Sequence, residues 1–443
     1  MISMVLFGSF AILVAFGAPV GVCLGMASLI VLELLPNTPP VTLLVKSAVT
    51  GANNFVLVAV PMFILAGDIM QGGGLSRRIV ASAARLVGNV KAGLAYVNIL
   101  ASMFFAAISG SSPATVAAIG SNMVPEMEKR GYDRGFSSAL TAASGMIGVM
   151  IPPSIPFIIY GVTANQSIGD LFLGGVIPGI LFGAGYAVIA RYLFATGATA
   201  CKSPLNEAIE KLEEHNRARA QEKAETAQSD DGNTIWALLV PVIILGGIYG
   251  GIFTPTEAAA VAVGYAFFIS MFVYKELKWE DLPELLSRTA ITSATCLIMV
   301  VMAFAFGRLL TMEQVPNQVA DLITTVSDNP IIVLALINIL LLLVGMFMET
   351  VAAIIILTPI LLPVAQSVGV DQIHFGVIMT CNLAIGFCTP PLGANLFVAS
   401  SIGEVSLERV VKALIPFIYA MIVCLLLITY VPAFSTFLPS LMN

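Results

Sequence analysis

The stretches SGSSPATVAAI (residues 109–119) and GVMIPPS (148–154) have counterparts in the second half of the chain, GMFMETVAAI (345–354) and GFCTPPLGAN (386–395). The five residues TVAAI recur at an offset of 235, and the Pro-Pro pairs at 152–153 and 390–391 recur at an offset of 238. The second offset also relates two glycine pairs, one aspartate pair and one proline pair: Gly131 and Gly369, Gly148 and Gly386, Asp133 and Asp371, Pro178 and Pro416. Co-linear matches indicate an internal repeat. Each copy is a hydrophobic hairpin, then a broken span, then another span.

The composition places this repeat in a membrane. Hydrophobic residues make up 58% of the 443 residues and charged residues only 10%, with a mean hydropathy of +0.96. Soluble domains carry about 25% charged residues, so most of this apolar surface must face lipid. The composition excludes a soluble enzyme and a disordered chain. It also excludes a nucleic-acid-binding protein, which would show a basic patch, whereas the net charge here is −6.

Sequence patterns for several other chemistries are missing. The six cysteines show no CxxC spacing and the two histidines are too few for a metal cluster, so we expect neither a disulfide framework nor a metal centre. The chain has no GxxxxGK[ST] and no GxSxG, which argues against a P-loop ATPase and an esterase-type nucleophile. The sequence therefore predicts a protein that is not an enzyme, needs no cofactor and does not use ATP.

Apolar runs of about 20 residues, the length that crosses a bilayer, alternate with short polar connections. Residues 75–91 instead predict a basic amphipathic helix at the membrane interface, and residues 197–234 predict a solvated linker that divides the chain. Whether residues 4–35 form one span or two stays open. The predicted segments are 4–35, 50–70, 92–125, 135–160, 174–195, 235–252, 256–274, 289–311, 330–365, 373–400 and 413–437.

The distribution of Lys and Arg predicts the orientation of these segments. If the linker is cytoplasmic and residues 92–125 and 330–365 are hairpins that enter and leave on one side, 18 of the 20 basic residues are cytoplasmic and only Lys46 and Arg308 are not. The first hairpin then opens to the cytoplasm and the second to the far side. The halves 1–196 and 235–443 are therefore inverted repeats, with broken helices at 135–160 and 373–400. Inverted repeats with half-helices that meet at mid-membrane are typical of secondary transporters.

The hairpin tips and the breaks are the places where backbone polar groups can line a wet cavity. At the first tip, Ser112 is expected to be the N-cap and Pro113 the first helical residue, and a helix N-terminus favours an anion. Each Pro-Pro pair removes two amide donors, so the preceding carbonyls lose their partners and, with Ser154 or Thr389 nearby, become candidate Na⁺ ligands. The alternative is that small residues pack tightly at the tips and that the prolines only kink the helices.

Few charges lie within the apolar segments. We expect Asp68 to be an interfacial carboxylate, with a coupling site as the alternative, and His374 to be interfacial. Glu257 is expected to complete a capping box with Thr254. Glu349, at the second tip, either caps its helix or faces the cavity. Arg308 either snorkels to the far interface or pairs with a substrate carboxylate.

These stretches resemble the large membrane subunit of tripartite ATP-independent periplasmic (TRAP) transporters. The resemblance covers nearly the whole chain and rests on five stretches: VPMFILAGDIM (60–70), SGSSPATVAAIGSNMVPEMEKRGYD (109–133), GVMIPPSIPFIIYG (148–161), GGIFTPTEAAAVAV (250–263) and FCTPPLGANLFV (387–398). It implies an all-α polytopic membrane protein of the elevator type in the bacterial inner membrane. It also implies Na⁺-coupled import of an organic acid anion, a small four-helix membrane subunit, and a periplasmic binding protein that delivers the substrate.

The same resemblance implies which residues bind the ion and the substrate. The expected Na⁺-binding residues are Ser109, Gly110, Ser111, Ser112, Gly148, Ile151, Pro152, Gly345, Thr350, Gly386, Cys388 and Thr389. The expected substrate-binding residues are Thr115, Ser154, Arg308, Glu349 and Asn395. Relatives are expected to have an aromatic residue where Arg308 stands. This departure points toward a carboxylate sugar such as sialic acid, although a C4-dicarboxylate stays open.

Three other functions are alternatives to this interpretation. One is an elevator-type Na⁺/carboxylate transporter that works without a binding protein. A membrane enzyme acting on lipid would need a polar catalytic pair at depth, and a passive channel would need a continuous polar lining. The sequence shows neither feature. It does not establish the substrate, the Na⁺ stoichiometry or the oligomeric state.

Overall fold

The computed structural model describes residues 2–35, 39–88, 90, 92–197, 231–315, 318–319, 329–391 and 393–442, and the regular elements within these ranges are all helical. The predicted all-α fold is confirmed. The predicted linker at 197–234 lies outside the described residues except for its first residue and its last four. In the first half the helices are α1 Ile2–Ala15, α2 Val20–Leu34, α3 Thr42–Ala52, α4 Ala59–Gly72, α5 Leu75–Val87, α6 Gly93–Ser109, α7 Ser112–Lys129, α8 Arg134–Gly145, α9 Ile155–Ala164 and α10 Ile168–Ala195.

The second half shares the hairpin, the broken helix and the long helix that follows, but among the described residues three helices rather than five precede its hairpin. Its helices are α11 Asp231–Tyr249, α12 Pro255–Phe268, α13 Leu282–Met312, α14 Pro330–Gly345, α15 Thr350–Ser367, α16 Gln372–Gly386, α17 Ala394–Gly403, α18 Leu407–Tyr430 and α19 Ala433–Met442. A π-helical turn, Ile269–Val273, extends α12. Helix α13 has 31 residues and is therefore about 46 Å long at 1.5 Å per residue.

Six helical segments among the described residues are long and apolar enough to cross a membrane. They are Phe55–Gly72, Ile168–Ala195, Pro255–Val273, Leu282–Met312, Thr350–Ser367 and Leu407–Tyr430. The predicted segment 4–35 holds two shorter apolar helices, α1 and α2, because the chain turns at Gly17, where φ is +78°. Of the predicted interfacial helix 75–91, the structure has Leu75–Val87 as helix, and residues 89 and 91 lie outside the described residues.

The two hairpins are α6–α7 and α14–α15, and the two broken helices are α8–α9 and α16–α17. Both broken helices begin with the same cap, since Asp133 Oδ1 accepts from the Phe136 amide (2.9 Å) and Asp371 Oδ1 accepts from the His374 amide (3.0 Å). Both are interrupted at the Pro-Pro pairs, whose residues have no N–H for the helical ladder. The structure therefore repeats the unit that the sequence offset predicts.

The broken helices run antiparallel. The start of α8 lies beside the end of α17, where Arg134 pairs with Glu404 at 3.2 Å. The start of α16 lies beside the end of α9, where the Tyr160 hydroxyl donates to the Gln372 carbonyl at 2.7 Å. Because each broken helix starts where the other ends, the two copies are inverted, as predicted.

The two copies also interlock. Helix α7 of the first hairpin packs against α17 of the second broken helix, and α15 of the second hairpin packs against α9 of the first. Every residue of Gly135–Gly145 and of His374–Gly386 is buried. The hairpins and broken helices therefore form one core, while α4, α12 and α13 pack together beside it.

Candidate functional site: a cavity between two hairpin tips

The first hairpin turns at Gly110, which adopts the left-handed region (φ +61°) at the end of α6. Ser111 is extended and is the N-cap of α7, but its side chain makes no capping hydrogen bond. The predicted cap at Ser112 is therefore displaced by one residue. The Ser112 hydroxyl does not cap the helix because it bonds to Asn395 of the other repeat instead. As a result, no side chain among the described residues caps the N-terminal amides of α7.

A group of hydroxyls stabilises this first tip. The Ser109 and Thr115 hydroxyls are 2.9 Å apart, and Thr115 Oγ1 donates to the Ser111 carbonyl at 2.8 Å. The tip lies directly on the first break, because a Cβ on Gly148 would be 2.6 Å from Thr115 Oγ1 and 2.7 Å from the Ser111 carbonyl oxygen. Glycine is thus the residue that lets the hairpin tip and the broken helix meet.

The first break consists of a short 3₁₀ turn, Met146–Val149, and residues 150–153. Ser154 then caps α9, since its hydroxyl accepts from the Phe157 amide (3.3 Å) and donates to the Val149 carbonyl (2.6 Å). Pro152 and Pro153 have no amide hydrogen to contribute. The predicted ligands Ile151 and Pro152 can therefore offer only backbone carbonyls at this junction.

The second hairpin tip has different chemistry. Glu349 is the N-cap of α15, and its carboxylate accepts from the amides of Val351 (2.9 Å) and Ala352 (3.2 Å). Thr350 is buried, and its hydroxyl has no hydrogen-bond partner among the described residues. Of the two roles left open for Glu349, the structure shows both, because its side chain caps the helix and also lines a cavity.

At the second junction, the hairpin tip and the helix break are as close to each other as at the first junction. A Cβ on Gly386 would overlap the carbonyl oxygen of Gly345. Beyond the glycine, the Thr389 hydroxyl donates to the Ile385 carbonyl (2.9 Å) and the Cys388 thiol to the Ala142 carbonyl (3.3 Å). The thiol of Cys388 is therefore directed at α8 of the other repeat.

Asn395 joins the two junctions. Its amide nitrogen donates to Ser112 Oγ (2.8 Å) and to the Ala142 carbonyl (2.9 Å), and it is fully buried. It therefore links the first hairpin tip and the first broken helix to the start of α17.

A cavity of about 450 Å³ lies between the two tips. One wall comes from the tips and half-helix starts, residues 109–114, Ile155, Pro156, residues 349–351, Phe387 and Ala394. The other part of the lining comes from α4 and α13, with Ile64, Gly67, Asp68, Gln71, Arg288, Thr292 and Cys296. Its volume is in the range of small-molecule sites, about 300–1,000 Å³.

Sequence comparison agrees with this architecture. A family model described as "Tripartite ATP-independent periplasmic transporter, DctM component" matches residues 7–434. The chain belongs to the DctM family of TRAP transporters.

The relatives of this DctM protein carry different substrate names. It is 45% identical over 433 residues to the isethionate TRAP transporter permease protein DctMQ of Oleidesulfovibrio alaskensis, covering 98% of this chain and 66% of that longer relative. It is 39% identical to the C4-dicarboxylate large permease DctM of Pseudomonas aeruginosa, over 88% of this chain and 87% of the relative. It is 38% identical to the sialic acid large permease SiaM of Vibrio cholerae, over 98% of each chain.

Among solved structures, this DctM protein resembles the Alcanivorax borkumensis YdaH transporter. The TM-score is 0.64, with coverage of 96% of this chain and 98% of that chain, at 13% identity. At that identity the likeness supports the fold alone. It agrees with the all-α architecture of inverted repeats seen in this DctM protein.

The structure brings some predicted residues to the cavity and not others. Ser109, Gly110, Ser111, Ser112, Glu349 and Thr350 line it. Thr115 and Asn395 are fully buried behind the lining, and Ser154 is fully buried as a helix cap. Of the predicted substrate ligands, the structure therefore places only Glu349 at the cavity wall.

Arg308 is not brought to the cavity. It is exposed, and it lies 20 residues beyond Arg288 on α13, which is about 30 Å along the helix axis. Arg288 is the arginine that lines the cavity of this DctM protein, where it pairs with Asp68 at 2.8 Å. Asp68 was expected to be an interfacial carboxylate, with a coupling site as the alternative, and the structure places it in the cavity lining beside Arg288.

The sequence analysis did not predict Arg288 as a site residue. It used Arg288 only as one of the basic residues that indicate the cytoplasmic side. Asp68 and Arg288 are 220 residues apart, so no local pattern links them. The polar sequence around Asp68 inside an apolar segment was the available signal.

The prediction for Glu257 is confirmed, since Thr254 and Glu257 form a capping box at the start of α12. His374 is buried within the protein in the first turn of α16, and its Nδ1 lies 2.6 Å from Ser435 Oγ. Its interfacial position stays a prediction.

Proposed function

We propose that this DctM protein carries out Na⁺-coupled import of a small organic anion across the bacterial inner membrane. The observation that carries the proposal is the pairing of each hairpin tip with a glycine at a helix break, at Gly148 and at Gly386, on one side of a single cavity. Half-helices that end near a midplane cavity are the usual setting for substrate and coupling ions in secondary transporters.

Two observations support Na⁺ at the junctions. The Thr350 hydroxyl is buried without a hydrogen-bond partner among the described residues, and an oxygen of that kind is well suited to a hard cation. At the first junction the Ser109 and Thr115 hydroxyls and the Ser111 carbonyl cluster against Gly148. Carbonyls near the proline pairs would complete both sites, so we assign the predicted Na⁺-binding residues to these two junctions.

The charges at the tips support an anion at the first tip. Helix α7 starts at the cavity wall without a side-chain cap, so its positive N-terminal end is available to an acid group. Helix α15 also starts at the cavity, but the Glu349 carboxylate already occupies its amides. The acid group of the substrate is therefore favoured at the start of α7 rather than at the start of α15, in addition to the Na⁺ proposed at each junction.

The relatives support the substrate class and the partners. Their names include an isethionate, a C4-dicarboxylate and a sialic acid permease, all of which handle organic anions. The family description names a tripartite, periplasmic system, so we expect a small membrane subunit and a periplasmic binding protein as partners. In the proposed elevator mechanism, the core of hairpins and broken helices moves past the helices that include α4 and α13.

Uptake into proteoliposomes tests this proposal. The permease would be reconstituted with its small subunit and supplied with the binding protein and labelled anions, under an imposed Na⁺ gradient or with K⁺ replacing Na⁺. We expect accumulation only with the Na⁺ gradient. Equal accumulation in K⁺ would contradict coupling, and full uptake without the binding protein would favour an elevator-type transporter that needs no such partner.

We also propose that the linker is cytoplasmic, so that the first hairpin opens to the cytoplasm and the second to the periplasm. Lys129 and Ser367 are exposed, are 238 residues apart, and lie at the open ends of the two hairpins. In a background without accessible native thiols, Lys129→Cys and Ser367→Cys should react with impermeant maleimide from opposite sides. Labelling from the same side would contradict the inverted orientation.

A further inference from the structure

The charged groups of the cavity are unevenly placed. Among the described residues that line it, Arg288 is the single basic side chain, and Asp68 and Glu349 are the acidic ones. Glu349 lies at the tip wall, where two backbone amides hold its carboxylate. Asp68 and Arg288 lie together in the part of the lining that α4 and α13 form.

In the Asp68–Arg288 pair, the aspartate side chain is held by two hydrogen bonds, whereas the arginine side chain is largely exposed. Asp68 accepts from Arg288 Nη2 (2.8 Å) and from the Thr289 hydroxyl (2.6 Å), and its side chain is 17% exposed. The Arg288 side chain is 59% exposed. A guanidinium has five N–H donors in a planar fork, so one bond to Asp68 leaves donors available for a second oxyanion.

The charge balance of this wall favours a ligand with one acid group. Asp68 already neutralises Arg288, and a single acid group can share the guanidinium and face the uncapped start of α7. Among the described residues that line the cavity, a second acid group would find no second basic side chain, and its neighbours would be Asp68, Glu349 or the apolar side chains of Ile64 and Phe105. Neutral hydroxyls are accommodated better, because Asp68, Gln71 and Thr292 offer acceptors and donors along the same wall.

We propose that Arg288 binds the acid group, and Asp68 accepts a hydroxyl, of a small hydroxylated monoanion, such as a hydroxysulfonate or a sugar acid. This inference rests on the proposed function and assigns its substrate class to the Asp68–Arg288 pair. Both residues belong to α4 and α13, outside the core of hairpins and broken helices, so in the proposed elevator movement they contact the anion only in the state in which the core faces them. Arg308 has no part in this recognition.

Direct binding to the purified permease with its small subunit tests the assignment separately from transport. The probes are 2-hydroxyethanesulfonate, N-acetylneuraminate and the dicarboxylate succinate, each titrated in Na⁺ by calorimetry or thermal shift. We expect one of the two monoanions to bind more tightly than succinate. Arg288→Gln should weaken that binding about 10- to 100-fold, the usual effect of losing a charged hydrogen-bonded partner.

Two further variants distinguish a loss of ligand contacts from a general loss of folding. Asp68→Asn keeps the shape but removes the charge, so the preference for the monoanion over succinate should fall or reverse. Arg409→Gln removes an arginine of similar exposure (56%) that pairs with Asp133 outside the cavity, and it should leave both affinities unchanged.

The assignment is overturned if succinate binds more tightly than both monoanions, if none of the three binds, or if Arg288→Gln binds as the parent does. It is also overturned if Arg409→Gln loses as much affinity as Arg288→Gln, since both effects would then reflect general destabilisation. Failure of the proposed function would appear differently, as monoanion binding that is lost in Arg288→Gln together with uptake that ignores the Na⁺ gradient.

Discussion

The two hairpin–break junctions share a backbone plan but differ in the groups that they present. At the first, hydroxyls of Ser109 and Thr115 bond to one another, and the start of α7 has no side-chain cap. At the second, Glu349 caps α15 and Thr350 keeps a buried hydroxyl without a partner among the described residues. The comparison teaches that an inverted repeat sets where the chain breaks, whereas a few side chains at each tip decide whether the adjoining helix start is open to an anion.

The largest expected effect on transport comes from preventing the close contact between a hairpin tip and its helix break. Gly386→Ala should abolish Na⁺-driven uptake, because its Cβ would overlap the backbone oxygen of Gly345. Gly148→Ala should be severe but weaker, because one of its two close neighbours is the Thr115 side chain. Proteoliposome uptake measures both, with Gly264→Ala as the control, since among the described residues nothing beyond its own stretch of helix lies within 4 Å of its Cβ position. Normal uptake by Gly386→Ala would contradict the packing of the second junction.

The next effect concerns the link between the junctions. Asn395→Ala should destabilise the protein by about 1–3 kcal/mol, because Ser112 and the Ala142 carbonyl lose a buried partner. Thermal unfolding in detergent measures the change. Asn122→Ala is the control, since that half-buried amide bonds only within its own helix, to Ala118. Equal stability of the two variants would show that Asn395 does not join the repeats.

Substitution of the two equivalent threonines, Thr115 and Thr350, distinguishes the roles of the two junctions. Thr115→Val should lower stability by about 1–3 kcal/mol with or without Na⁺, because it breaks bonds that are present in the structure. Thr350→Val should leave stability without Na⁺ unchanged or higher, but should weaken stabilisation by Na⁺ about tenfold in concentration, equivalent to about 1.4 kcal/mol. Thermal shifts across a Na⁺ titration measure both. Thr350→Val with an unchanged Na⁺ response would remove Thr350 from the site.

The smallest effect concerns the charge at the second tip. Glu349→Gln should cost about 0.3–1 kcal/mol of helix stabilisation and should weaken the apparent Na⁺ affinity by a few fold, because the tip loses its negative charge. Glu257→Gln is a matched control, since that carboxylate also caps a helix N-terminus but lies outside the cavity lining. If both variants change the Na⁺ response equally, the charge of Glu349 has no specific role.

The fold was predictable because the signals that define it are covalent and local. Glycine and proline restrict the backbone wherever they occur, so the offset that relates Gly148 to Gly386 predicts two breaks and hence two junctions. The capping box at Thr254 and Glu257 was predictable for the same reason, because its partners are three residues apart.

The pairs that shape the cavity were not predictable in this way. Ser112 and Asn395 are 283 residues apart, and Asp68 and Arg288 are 220 apart, so only the folded packing brings them together. A count of basic residues drew attention to Arg308 because it departs from the expected orientation. The count contains no information about which face of α13 meets the hairpin tips.

The central claim is that both junctions bind Na⁺ during transport of one anion. The reversal potential of uptake in proteoliposomes, measured at several Na⁺ gradients with a fixed anion gradient, gives the number of Na⁺ ions coupled to each anion. The account predicts at least two, and one fewer in Thr350→Val if that variant still transports. A parent ratio of one or zero would contradict the claim that both junctions are coupling sites.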